Sequence, residues 1–324
     1  MAEIRYIDAI RQALADELET DPRVALLGED ITLGGPFGAT KGLVDTYGEW
    51  RIRNTPISEA TVVGLAVGAG LAGLRPVVEI MFVDFITLAM DQLVNHGAKL
   101  RYMTGGVLSV PLTIRAQFGA TGGFGAHHSQ SLEAWICHLP GVKVCVACDP
   151  YDAKGLILAA AQDDNPVFVV LNKMSLAMKG EVPEGPYTVP LGKAKIVRPG
   201  TNYTIVTWGR MVHEAKAAAE KLKAFGIDAE VIDPRTLQPF DFQTVMQSVK
   251  KTHRVMIVHE AVRFGGFGGE IASQIQELAF DYLDAPVARI GAPFSPVPFS
   301  PALEKHYVPN ADSIVAGVKA QLGL

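Results

Sequence analysis

The sequence predicts an α/β protein of two doubly wound domains. At 324 residues the chain exceeds the usual span of one hydrophobic core. Short apolar runs of strand length alternate with longer segments of helical period, the pattern of parallel strands joined by crossover helices. Over residues 172–200 that periodicity fades into a proline- and glycine-rich stretch, after which the alternation resumes. The break divides the chain into a domain over 1–185, a linker over 186–200 and a domain over 201–324.

In the first domain Ile4, Ile7, Ile10, Leu14 and Leu18 predict an amphipathic helix over 4–19. A strand over 24–27 ends in Gly28-Glu29-Asp30, at the kind of carboxyl edge where open α/β sheets bind ligands. Gly34-Gly35-Pro36-Phe37-Gly38 is a turn-rich loop. After a short strand near 51–54, Thr55-Pro56-Ile57-Ser58-Glu59-Ala60 opens a helix whose residues 62–73 are uncharged and mostly small. Glu59 therefore sits at the rim of a water-poor surface. Two roles compete for it: with Ser58 as N-cap it complements the helix dipole, or it is a carboxylate of raised pKa that trades a proton with a ligand nitrogen. Gly64, Gly68 and Ala72 share one face of that helix and permit close approach by the sheet or by a helix of a second subunit.

A strand over 77–82 leads into Asp84-Phe85, and 86–101 returns to helical period. The next strand, 110–114, runs into a glycine-rich loop over 120–129 that presents His127 and His128. Backbone can approach a ligand closely there, and a neutral imidazole exchanges protons near pH 7. A strand over 142–146, a helix over 151–161, the turn Asp163-Asp164-Asn165-Pro166 and a strand over 167–171 complete the domain, with 187–196 as a further edge strand. In the second domain strands at 203–207, 229–232, 254–258 and 287–290 alternate with helices at 211–225, 242–250 and 268–282. Phe264-Gly265-Gly266-Phe267-Gly268-Gly269-Glu270 lies between a strand and a helix, but its glycine spacing departs from a dinucleotide fingerprint and lacks the acidic ribose ligand.

Composition narrows the function. The chain is 48% hydrophobic and 19% charged with a formal net charge of −5, and no basic stretch offers phosphate neutralisation, so neither nucleic acid nor an acidic membrane is the expected partner. Cys137, Cys145 and Cys148 do not make a disulfide framework, and Glu3 and Asp8 at the start do not suit a targeting peptide; a cytoplasmic, reducing setting is expected. The Cys145–Cys148 spacing suits redox or zinc chemistry, but it falls in a strand and lacks a second ligand pair, so a structural role is expected.

The segments LLGED (26–30), TPISEA (55–60), GLRPVVEIMFVDF (73–85), KLRYM (99–103), GAHHSQSLEA (125–134), PYDAKGL (150–156), DDNPV (163–167), PLGKA (190–194) and EVIDPRTLQP (230–239) occur in order along the whole chain. With them the sequence resembles the β subunit of the thiamine-diphosphate-dependent decarboxylase component of 2-oxo acid dehydrogenase complexes, and the related acetoin dehydrogenase β subunit. The resemblance implies an N-terminal pyrimidine-binding transketolase-like domain and a C-terminal transketolase-like domain. It assigns Glu59 to the far ring nitrogen of the cofactor's aminopyrimidine, Phe85 to stacking on that ring, and His128 to the active site. His127 stands where most relatives carry glutamine. A potassium ion is implied at Leu112, Ala160, Ala161, Asp163 and Asn165, held largely by carbonyl oxygens.

No Gly-Asp-Gly run, the usual start of a thiamine-diphosphate metal site, occurs in the sequence. The resemblance therefore implies an α subunit that supplies the Mg²⁺ and diphosphate ligands, an α₂β₂ heterotetramer, and transfer of the acyl group to a lipoyl group of a dihydrolipoyl acyltransferase. Pyruvate, branched 2-oxo acids and acetoin all remain as substrates, with MFVDF (81–85), TKGL (40–43) and PVPFSP (296–301) leaning toward acetoin. Two other readings stand beside catalysis. One is a non-catalytic assembly subunit; the other is a nucleotide-dependent oxidoreductase built on residues 264–270.

Overall fold

A computed structural model describes residues 1–120 and 122–324; Thr121, in the glycine-rich loop, lies outside them. The chain forms two compact units, one of residues 1–118 and 135–191, the other of 119–134 and 192–324.

The first unit runs β1 (Ala2–Arg5), α1 (Tyr6–Thr20), β2 (Val24–Gly28), α2 (Leu43–Arg51), β3 (Ile52–Asn54), α3 (Glu59–Leu71), β4 (Arg75–Phe82), α4 (Leu100–Met103) and β5 (Thr113–Phe118), and then, from residue 135 of α5 (Glu133–Cys137) onward, β6 (Lys143–Ala147), α6 (Pro150–Ala161), β7 (Val167–Asn172) and β8 (Lys179–Val182). Its main sheet is parallel in the order β6-β7-β5-β4-β2-β3. Buried on both faces, these strands are the near-continuous apolar runs seen in the sequence. Helix α1 buries Tyr6, Ile10, Leu14 and Leu18 in one core with Leu156 and Ile157 of α6 and Leu26 and Val169 of the sheet. Each such aliphatic side chain contributes about 1.5–3 kcal/mol on full burial. Helix α6 starts sharply because Pro150 needs no N–H donor at its first position and Asp149 Oδ1 accepts from Asp152 N at 2.7 Å.

Three local expectations change. Residues 2–5 are a strand rather than the start of the helix, paired antiparallel with β8. Over 86–101 the helical period is real but broken: Val83–Ala89 is 3₁₀, Gln92–Gly97 is π-helical with Ala98 N–H donating to Leu93 O at 2.8 Å, and α4 is one short turn. An apolar repeat over so few turns does not distinguish these registers. The strand expected at 110–114 begins instead at Thr113, because Pro111 has no N–H for the ladder.

The second unit contains β9 (Lys195–Arg198), β10 (Tyr203–Thr207), α7 (Met211–Leu222), β11 (Ala229–Asp233), β12 (Thr236–Gln238), α8 (Phe242–Thr252), β13 (Val255–Val262), α9 (Gly268–Ala279), β14 (Ala288–Ala292), α10 (Pro301–Tyr307) and α11 (Ala311–Leu322). Its sheet order is β14-β13-β10-β11-β9, parallel except for the antiparallel edge strand β9. That edge strand overlaps the segment read as 187–196 only at residues 195–196 and extends past it. Asp241 caps α8, its carboxylate accepting from Thr244 N at 3.2 Å, and Gly226 ends the α7 segment at φ 73°.

Candidate active site

At the carboxyl end of β2, Gly28 O accepts from Thr55 N at 3.0 Å, which ties the strand end to the turn that starts α3. Glu59 is the first residue of that helix and is only 6% exposed. Ser58 precedes it, but its hydroxyl lies 2.8 Å from Thr61 Oγ1 and makes no capping bond to the backbone. The Glu59 carboxylate receives no hydrogen bond among the described residues. Its carboxylate oxygens are not sealed from solvent and stay open to a donor from outside the chain. Burial, and next the negative charge of Glu59, raise the neighbouring Glu29 carboxyl above its usual range.

Phe85 lies in the turn that follows β4, and α3 packs against that turn, so the structure brings the elements bearing Glu59 and Phe85 together. Its ring is partly buried and meets Phe82 edge-on at 6.1 Å; Phe82 in turn meets Phe37 edge-on at 5.7 Å. Lys173 Nζ sits 5.8 Å from the Phe82 centroid on this row of rings.

Below the β2 end lies a pair that the sequence reading missed. Glu79 of β4 and Arg115 of β5 are register partners, both fully buried and hydrogen-bonded to each other. Burial raises the Glu79 carboxyl, and the Arg115 charge offsets part of that rise. A Cβ at Gly28 would lie 3.0 Å from Glu79 Cβ, and one at Gly35 3.0 Å from Glu79 Oε2, so both glycines are bare because the glutamate sits against them. The available signal was one acid and one base inside otherwise apolar strands.

The residues matched to a potassium site also converge in the first unit. Leu112 O accepts from Val167 N at 2.9 Å and Ala160 O from Asp163 N at 3.2 Å. Arg75 donates to Ala161 O and Asp163 O, each at 2.9 Å, and to Asp164 Oδ1 at 3.1 Å. Asn165 N and Nδ2 both donate to Asp163 Oδ1 at 2.9 Å, Lys143 pairs with Asp163 Oδ2, and Arg101 donates to Asn165 Oδ1 at 2.8 Å. Ala160 O also accepts from Gln162 N–H, and the Arg75 cation already sits on the Ala161 and Asp163 carbonyls.

In the second unit, His127 is exposed and His128 partly buried on the loop between β5 and α5. The glycine-rich run before α9 serves packing. A Cβ at Gly266 would fall 2.7 Å from the His259 ring and 2.6 Å from Val262 O, and one at Gly268 2.8 Å from the same ring. Burial lowers the His259 pKa to about 4, and the neutral imidazole stacks on Trp208 at 5.4 Å. Cys145 and Cys148 are buried, and burial pushes the Cys145 thiol far up, as a structural role requires.

Two parallel-sheet units in sequence, the first bringing the elements of Glu59 and Phe85 together, form a transketolase-like chain. Residues 2–179 match the transketolase pyrimidine-binding domain and residues 192–314 the transketolase C-terminal domain. The chain is 46% identical over 333 residues to the acetoin:2,6-dichlorophenolindophenol oxidoreductase subunit beta of Bacillus subtilis, covering 99% of this chain and 97% of that one. It is 42% identical over 321 residues to the pyruvate dehydrogenase E1 component subunit beta of the same organism, covering 97% of each. Among solved structures, a split-gene transketolase described as an inactive beta4 tetramer superposes with TM-score 0.81 at 26% identity, over 99% of both chains. The chain therefore belongs to the β subunits of the thiamine-diphosphate-dependent E1 components of pyruvate, acetoin and 2-oxo acid dehydrogenases, an oxidoreductase family. Both relatives are named as β subunits, so the family is one of paired chains.

Proposed function

We propose that this chain supplies the pyrimidine half of a thiamine-diphosphate site in an α₂β₂ complex. An α subunit holds the Mg²⁺ and the diphosphate, and the complex acts on a 2-oxo acid or acetoin and passes the acyl group to a lipoyl group of a dihydrolipoyl acyltransferase. The observation that carries this reading is Glu59, a buried residue whose carboxylate has no donor among the described residues, on a helix packed against the turn of Phe85. A protonated ring nitrogen fits that carboxylate, and an aromatic pyrimidine fits the Phe85 ring. The bound cofactor supplies the electron sink that side chains lack. Glu59 holds the proton at the ring nitrogen. Phe85 orients the ring, and His128 handles a proton at the lipoyl sulfur. The domain over 1–185 is assigned to the cofactor, 186–200 to the linker and 201–324 to docking of the acyltransferase. The free thiols suit the reducing cytoplasm, and among the described residues no helix is long and apolar enough to cross a membrane.

Turnover tests the reading. The chain alone should show no thiamine-diphosphate-dependent activity; with its α subunit it should turn over acetoin, pyruvate or a branched 2-oxo acid, acetoin being favoured by the 46% relative. Robust activity of the chain alone would overturn the split site. An α/β complex inert on all three substrates would favour the assembly-subunit reading.

The Leu112, Ala160, Ala161, Asp163 and Asn165 positions are proposed to hold potassium, largely through carbonyl oxygens, with Arg75 as a competing cation. Potassium should then raise the unfolding midpoint more than lithium at equal ionic strength. Equal midpoints would leave Arg75 as the cation of that turn.

A further inference from the structure

We infer that Glu260 and Glu304 are positioning residues that hold the His128 loop in its working shape; the catalytic consequence rests on the role proposed for His128. The loop is held in part by its own backbone, with Gly119 N–H donating to Gln130 O at 3.3 Å and His128 N–H to Gly125 O at 3.4 Å, but its glycines make ordering costly. Gly119, Gly122, Gly123 and Gly125 all have positive φ, from 70° to 101°, and glycines in such conformations lose the most backbone freedom on ordering. Within the second unit two acids reach it from distant parts of the chain. Ala120 N–H donates to Glu260 Oε1 at 2.6 Å, and Gly123 N–H donates to Glu304 Oε2 at 3.0 Å, across 140 and 181 residues of sequence.

Glu260 comes from β13 and Glu304 from α10, and the two are 4% and 2% exposed. Backbone donors to carboxylates make charge-assisted bonds, about twice as strong as neutral ones. The two amides bracket Thr121, so the bonds fix the loop at its entry, ahead of the histidines. Phe299 supports the same stretch: a Cβ on Gly125 would touch its ring at 3.5 Å, and one on Gly123 its carbonyl at 3.7 Å. Glu304 Oε1 is buried with no hydrogen-bond partner among the described residues, a cost that packing alone would remove by substituting an apolar side chain. What an apolar side chain cannot do is accept the Gly123 amide.

The test uses the reconstituted α/β complex with Glu304→Leu, which removes the acceptor, and Glu304→Gln, which keeps one. Amide exchange at Ala120 and Gly123 reports loop order, and the rate of acyl transfer to a lipoyl acceptor divided by the rate of dye reduction reports loop function. In Glu304→Leu the Gly123 amide should exchange at least about tenfold faster and the ratio should fall about ten- to a hundredfold, the scale of a misplaced catalytic group. Glu304→Gln should restore most of both. If Glu304→Leu does not assemble, Glu304→Ser, polar but too short to reach Gly123, takes its place with the same expectation. A variant whose exchange and ratio stay within about twofold of wild type overturns the inference, as does faster exchange with an unchanged ratio. His128→Ala separates the two proposals: it should abolish transfer while leaving Gly123 protected. If His128→Ala transfers as wild type, the reading of His128 fails, and Gly123 exchange alone decides whether the carboxylates order the loop.

Discussion

Glu133 and Asp163 show how single carboxyls in this chain respond to pH in opposite senses. Glu133 is buried, and desolvation raises its pKa while the Trp208 Nε1–H bond at 3.2 Å offsets part of the rise. A folded-state pKa above the unfolded value means that its stabilising contribution is present at low pH and is lost as pH rises from the unfolded toward the folded value. Glu133→Gln keeps an acceptor for Trp208 and removes the ionisation, so it should raise the unfolding midpoint at pH 8 and have little effect at pH 4. A variant no more stable than wild type at pH 8 would mean that the carboxylate is solvated when charged. For Asp163, burial acts upward, but Lys143 and the Asn165 donors outweigh it and hold the pKa below the usual range. Its contribution is present above the unfolded value and lost as pH falls through the folded one.

Between elements, the glycine run before α9 separates spacing from packing. Gly266→Ala places a methyl group against Val262 O and the His259 ring, and overpacking of that kind costs about 1–3 kcal/mol. The expected outcome is a lower unfolding midpoint, measured thermally; an unchanged midpoint would show that the loop has room, as a ligand-binding loop would. The same segment shows where a sequence is legible. The βα alternation, the α8 cap at Asp241 and the helix opening at Glu59 are local and readable. The pairing of residues 2–5 with Lys179–Val182 is not, because its partner lies far along the chain. Nor are the bonds of Glu79 with Arg115, Ala120 with Glu260 or Gly123 with Glu304, all set by topology. Helices α10 and α11 were missed although the second carries a local signal, the Asn310–Ser313 capping box followed by Ala311, Ile314 and Val318 on one face. For the site, the positions of Glu59 and Phe85 followed from strand ends, whereas the absence of a donor on Glu59 required the folded chain.

At the scale of the whole molecule, the first parallel-sheet unit brings the elements of Glu59 and Phe85 together, and the sequence carries no Gly-Asp-Gly metal motif. Under the proposed function this chain supplies half a cofactor site, and Glu59 is the group on which that proposal depends. Glu59→Gln preserves size and hydrogen-bonding capacity but not the ability to hold and return a proton, so helix and assembly should survive it. The decisive measurement is hydrogen–deuterium exchange at the thiazolium carbon of thiamine diphosphate bound to α/β complexes of equal thermal stability, wild type against Glu59→Gln. A fall of about 10²–10⁴-fold, the range for a lost acid–base group, is expected. Equal exchange rates would contradict the role assigned to Glu59 and reduce it to a dipole-complementing residue at the start of α3.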